Sequence, residues 1–142
     1  MTAATLRLDI VSAEREIFSQ EAEMVFVTGE IGELGIAPGH TQLLTSLKPG
    51  NVRVLLPNKQ EEIFYISGGM LEVQPFIVTV LADTALRAHD IDEAAALAAK
   101  TEAEKILKGK ASNIDFAKAT AELAEALAQI RTVQKLKQKG KM

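Results

Sequence analysis

FIVTVLADTALRAHDIDEAAALAAK, residues 76 to 100, holds the point at which the chain changes its periodicity. Phe76 to Ala82 is a run of β-branched and aromatic residues of the strand type. From Asp90 onward the composition turns to Ala, Glu, Lys and Leu, the strongest helix formers. Asp90 is a good N-cap, and Glu93 three residues later completes a pair of the capping-box kind. This stretch divides the chain into a β part, residues 1–87, and a helical part, residues 88–142. The expected class is α+β.

Upstream, the strand pattern is continuous. TLRLDIV alternates Leu6, Leu8 and Ile10 against Arg7 and Asp9. AEMVFVTG, NVRVLLP, EEIFYISGG and MLEVQP follow, most of them separated by Gly, Pro or Asn. Many short strands without a long helical pattern predict an antiparallel β-sandwich or barrel. Glycines such as Gly29, Gly32, Gly39 and the Gly68-Gly69 pair fall where turns or bulges are expected.

Downstream, the first helix runs to Gly109, a natural stop just past a C-terminus. Ser112 and Asp115 open a second helix, expected to reach about Lys137. At 1.5 Å per residue the two would be ~27 Å and ~37 Å long, joined as a helical hairpin. Ala95, Ala99, Ala103 and Ile106 are expected on the contact face of the first. Phe116, Leu123, Leu127 and Ile130, flanked by Ala117, Ala121, Ala124 and Ala128, are expected on that of the second. An alanine methyl contributes only ~0.8 kcal/mol on burial, so such a seam separates at low cost. Either a plain alanine-rich hairpin or one that undocks and binds elsewhere satisfies the pattern.

With 142 residues, 47% hydrophobic and 25% charged, the chain has the composition of a globular protein with a real core. No cysteine is present, which excludes disulfides, thiolate nucleophiles and Cys-based zinc sites and fits a reducing compartment. The N-terminus lacks the pattern of a signal peptide, and no apolar run approaches the ~20 residues of a spanning helix. Charge is uneven. Residues 1–88 hold six Lys/Arg against eleven Asp/Glu, and residues 89–142 hold ten against eight. RTVQKLKQKGKM, at the end, has five cations and no acid.

Catalytic chemistry finds little support. Neither His40 nor His89 is paired by sequence with a nucleophile, and Ser67 in YISGG lacks the spacing of a nucleophile elbow. Asp83 in LADT could hold a metal, but the commoner role there is a turn cap. GELGIAPGH, residues 32 to 40, is not a phosphate loop, because Gly39 is followed by His40 and Thr41 instead of Lys and Ser/Thr. It reads as a Gly/Pro-shaped loop with Leu34, Ile36 and His40 at its edges, either a contact surface or an ordinary turn. Arg131, Lys135 and Lys139 recur every four residues near a helix C-terminus, where cations are favoured in any case. The tail has no aromatics to stack on bases, so an acidic protein surface is a more natural target than nucleic acid.

GELGIAPGH together with the preceding VTGEI, the following TQLLTSLKPG, YISGGMLEVQP, VTVLADTA, DIDEA and AELAEALAQIR resembles the epsilon subunits of bacterial F-type ATP synthases. The resemblance extends over nearly the whole chain. It implies an N-terminal antiparallel β-sandwich followed by a C-terminal two-helix hairpin, and a non-catalytic role with no cofactor. The implied partners are the gamma subunit and the c-ring, with the alpha and beta subunits of the catalytic head when the hairpin extends and blocks ATP hydrolysis. Membrane contact would be indirect, through the complex, at the cytoplasmic face of the bacterial inner membrane. Glu33, Leu34, Gly35 and His40 would lie on the c-ring side, and Arg131 and Lys135 would face acidic beta segments in the extended state. Some family members bind ATP through a motif of Ile or Leu, Asp, two variable residues, Arg and Ala. Here Ile91 and Asp92 match, but Ala95 stands at the arginine position, which removes the bidentate phosphate partner. ATP binding is expected to be weak or absent.

Overall fold

The computed structural model describes residues 4–109 and 113–140. Nine strands run in the order β1 (Leu6–Val11), β2 (Glu16–Ala22), β3 (Met24–Gly29), β4 (Gly32–Ile36), β5 (Leu43–Leu55), β6 (Glu61–Ile66), β7 (Gly69–Val73), β8 (Ile77–Ala82) and β9 (Ala85–Arg87). A 3-10 turn, Ala88–Asp90, leads to α1 (Glu93–Lys108) and α2 (Asn113–Gly140).

Hydrogen bonding follows β2-β1-β8-β7-β5-β3-β4, with β6 paired to β5 and β9 to β6. β5 belongs to both layers. Leu43 to Leu47 pairs with β7, and residues from Gly50 to Leu55 pair with β3 and β6. At the junction of the two halves Pro49, which has no N–H to offer a ladder, precedes Gly50. A Cβ on Gly50 would stand 2.6 Å from Thr28, so only glycine lets β5 cross β3 this closely. The register with β3 jumps there, from Val27↔Val52 to Gly29↔Leu47.

The layers close on alternating residues of both. Leu6, Leu8, Ile10, Leu71, Val73, Val78 and Val80 come from one layer, and Val25, Val27, Ile36, Val52, Val54, Phe64 and Ile66 from the other. Phe18 of β2 meets Phe64 of β6 edge-on, ring centroids 5.2 Å apart, so the aromatic pair spans the core. The sandwich expected from the strand pattern is present, and its pairs are antiparallel apart from β1 and β8, which run parallel.

The helical hairpin also forms, with local differences. The N-cap of α1 is Asp92, whose carboxylate accepts from the Ala95 N–H at 3.1 Å, while Asp90 ends the 3-10 turn. Gly109 is the C-cap, as its position suggested. Ser112 lies outside the described residues. The buried positions of α1 are Ala96 and Ala103, not Ala95 and Ala99, which are exposed. On α2, Ala119, Ala126 and Val133 are buried and Leu123 and Ile130 half buried at helical spacing; Phe116 is half exposed, and Ala117, Ala121 and Ala124 are exposed. Alanines fall on buried and exposed positions of both helices alike, so polarity contrast was too weak to orient them.

Candidate partner-binding surfaces

GELGIAPGH does not form one loop. Gly32 to Ile36 is β4, paired to β3, and the loop proper begins at Ala37. Gly29 and Gly32 close a two-residue turn over Glu30 and Ile31, and Ile31 projects with 98% of its surface exposed. This tip was not singled out in the sequence. Glu33 follows on the outer face of β4. Leu34 is half buried against the core, and Gly35 is exposed. A Cβ at Gly35 would be 3.2 Å from the Met24 methyl and 3.5 Å from the Phe26 ring. His40 stands beyond the other end of β4. Its Nδ1–H donates to the Thr41 carbonyl at 2.7 Å, and its loop is tied to the β7–β8 turn by the Gly39 N–H on the Pro75 carbonyl. Glu33, Leu34 and Gly35 therefore lie within β4, and His40 lies in the loop past its end.

The remaining catalytic candidates have structural roles. Ser67 Oγ accepts from the Thr84 N–H at 2.9 Å and from the Thr84 hydroxyl at 2.8 Å, which closes the β8–β9 turn onto the end of β6. Asp83 lies in that turn, its N–H on the Gly68 carbonyl. His89 pairs with its neighbour Asp90 at 3.5 Å on the surface. Among the described residues no group of His, Asp and Glu is arranged to hold a metal ion. No helix among them is long and apolar enough to cross a membrane.

Two outer faces of the sandwich stand out. The first is the outer face of the layer formed by β2, β1, β8, β7 and the first half of β5. Leu44, Met70, Ile77 and Leu81 are exposed on it, with Phe76 at its edge. Met70 and Leu81 are cross-strand partners and form an apolar pair, while Leu44 lies opposite Glu72 and Ile77 opposite Arg7, so polar side chains interleave with the rest.

The second is the opposite outer face, already covered by α2. Asn51 of β5 and Ile63 and Tyr65 of β6 are buried although none belongs to the sandwich core. On α2, Ala128, Gln129, Thr132 and Leu136 recur at helical spacing toward them. Thr132 is fully buried and donates its hydroxyl to the Ala128 carbonyl at 2.7 Å, and Leu136 lies beside Ile63. Gln129 of α2 lies against the Tyr65 phenol. Burial, and secondarily the Glu125 carboxylate, push that phenol up to about 12. Lys135 reaches Glu33 across the same seam at 4.0 Å. Arg131 is exposed on the side of α2 away from the sheet. Lys139 lies in α2, with its side chain outside the described residues. In α1, Asp92 is engaged in capping and Ala95 is exposed, so the ATP-motif positions offer no cation.

Comparison with known proteins is consistent along the chain. Residues 5–88 match the family described as "ATP synthase, Delta/Epsilon chain, beta-sandwich domain", and residues 89–134 match "ATP synthase, Delta/Epsilon chain, long alpha-helix domain". The ATP synthase epsilon chain of Nitrosococcus oceani is 59% identical over 96% of this chain and 98% of its own length. That of Legionella pneumophila is 58% identical with the same coverage. In fold, the chain resembles a component of the Euglena gracilis mitochondrial ATP synthase in an OSCP/F1/c-ring assembly. The TM-score is 0.82 at 20% identity, covering 88% of this chain and 79% of that one. A chain of the Tetrahymena thermophila mitochondrial ATP synthase central stalk and c-ring gives a TM-score of 0.64 at 10% identity, covering 94% and 99%.

Proposed function

The chain belongs to the ATP synthase delta/epsilon chain family, and on that premise we propose that it is a non-catalytic rotor subunit coupling a c-ring to the catalytic head. Residues 1–87 are the platform. The exposed Leu44, Met70, Ile77 and Leu81 on one face suit a protein partner such as gamma, and the Ile31 tip with Glu33, Leu34 and Gly35 suits the c-ring. His40, at the far end of β4, would reach the ring only if the contact extended along that strand. The complex would sit at the cytoplasmic face of the bacterial inner membrane, with this subunit peripheral to it.

Residues 88–142 are the regulatory part. The observation that carries this half is the seam under α2, where the helix presents Ala128, Gln129 and Thr132 and only one large aliphatic side chain, Leu136. An alanine or threonine methyl contributes ~0.8 kcal/mol on burial, against ~1.5–3 kcal/mol for a leucine. A seam of this kind orders the docked helix but does not lock it. Released, α2 would offer Arg131 and Lys135 to acidic segments of the beta subunits and restrain ATP hydrolysis. Moving a two-state hairpin from 1:99 to 99:1 takes ~5.5 kcal/mol of differential binding, within reach of such an exchange.

Ending the chain after residue 88 and reconstituting the complex tests this. Gamma should still co-purify and ATP hydrolysis should rise. Unchanged hydrolysis would contradict the regulatory half, and absence of gamma would contradict the rotor assignment.

A further inference from the structure

Two lysines near the end of α2 are already engaged by carboxylates of the chain itself. Lys135 Nζ is 4.0 Å from Glu33 Oε1 on β4, and Lys137 Nζ is 2.9 Å from Glu93 Oε2 and 3.2 Å from Glu93 Oε1. Neither acid is on α2. Glu33 belongs to the sheet, and Glu93 is the first residue of α1. Glu93 stands at a helix N-terminus and Lys137 near a helix C-terminus, the ends at which each sign of charge is favoured. The basic end of α2 is thereby fastened to both of its neighbours. All four side chains remain partly exposed, from 35% at Lys135 to 60% at Lys137, so an incoming group can reach them.

We propose that Glu33 and Glu93 mask the α2 cations, so that an acidic protein segment engages Lys135 and Lys137 only by displacing the chain's own carboxylates. The inference deepens the functional reading above and rests on it for the nature of the occupant. Replacing one carboxylate by another leaves the Coulomb attraction at each lysine nearly unchanged. The exchange is therefore close to balance, and removal of the internal competitors tips it. Both sides of the exchange are partly solvated, so rising salt weakens both.

The test uses the full chain with poly-L-glutamate as the acidic probe. Glu33→Gln/Glu93→Gln should bind it about three- to tenfold more tightly than the unaltered chain, as expected for two partly exposed pairs. Lys135→Gln/Lys137→Gln should lose most of the binding. Glu14→Gln/Glu21→Gln removes the same charge from exposed positions away from α2 and should change affinity less than about twofold. The proposal is overturned if the Glu33/Glu93 variant binds like the unaltered chain, if its gain equals that of the Glu14/Glu21 control, or if the lysine variant binds undiminished. Co-purification of gamma with the same variants keeps the two readings apart. Loss of gamma from the unaltered chain defeats the rotor assignment and leaves the polyglutamate comparison intact. Gamma retained with unchanged affinities defeats the masking alone.

Discussion

Tyr65 on β6 lies against Gln129 on α2, which places the one tyrosine of the chain inside the joint between sheet and hairpin. With no tryptophan present, this phenol is an unobstructed reporter of docking. Burial is the main reason its pKa rises from 10.0 to about 12, and Glu125 of α2 adds to the rise. A phenol raised by docking keeps its proton after the undocked form has lost one. Docking should therefore be unaffected below about pH 10 and weaken progressively between about pH 10 and 12, by at most ~2–3 kcal/mol. Tyrosinate absorbance should show a midpoint near 12 in the full chain and near 10 in a chain ending at residue 88. Identical midpoints would mean that α2 does not cover Tyr65 in solution.

Thr132 offers a direct way to lift the hairpin. It is fully buried in the α2 seam with its hydroxyl satisfied by its own helix. Thr132→Asp would bury a charge with no partner, a cost of several kcal/mol that undocking relieves. Tyr65 should then titrate near its ordinary value while the sandwich retains its melting temperature. Loss of the sandwich transition along with docking would show that the platform depends on the hairpin.

Gly69 tests the platform by itself. Its φ is +146°, and a Cβ there would come within 2.0 Å of the Leu81 carbonyl on the neighbouring strand. Gly69→Ala should destabilise the sandwich by about 3 kcal/mol or more, since both the backbone conformation and the β7–β8 spacing must give way. Urea unfolding of the chain ending at residue 88 would measure it, and a cost below about 1 kcal/mol would contradict the geometry.

ATP should not bind the isolated chain with micromolar affinity. Asp92 is occupied as the N-cap of α1, and Ala95 presents a methyl where a guanidinium would be needed. Isothermal titration decides this, and a micromolar dissociation constant would require another source of positive charge.

The sandwich was legible because half-buried strands write their orientation in alternation, as Leu6, Leu8 and Ile10 do against Arg7 and Asp9. The switch to helix at residue 90 was legible in composition, although the cap lies two residues later than expected because Asp90 and Asp92 are both good caps. The contact faces of the helices were not legible, since alanines on buried and exposed sides alike give no direction to the core. Nor was the burial of Tyr65 foreseeable: it sits in EEIFYI, where Phe64 and Ile66 already fill the inner face. Only the return of α2 across the sheet turns its outward position into an interior one. The same return brings Lys135 to Glu33, 102 positions away in the chain.

A single strand of 13 residues, β5, is stitched into both leaves of the platform. Two leaves held only by side chains could creep past one another under a twisting load. Here any slip must stretch a covalent backbone. Torque entering at the Ile31 tip would thus cross to the Leu44 side with little give, and elastic compliance in this subunit would reside in its rods.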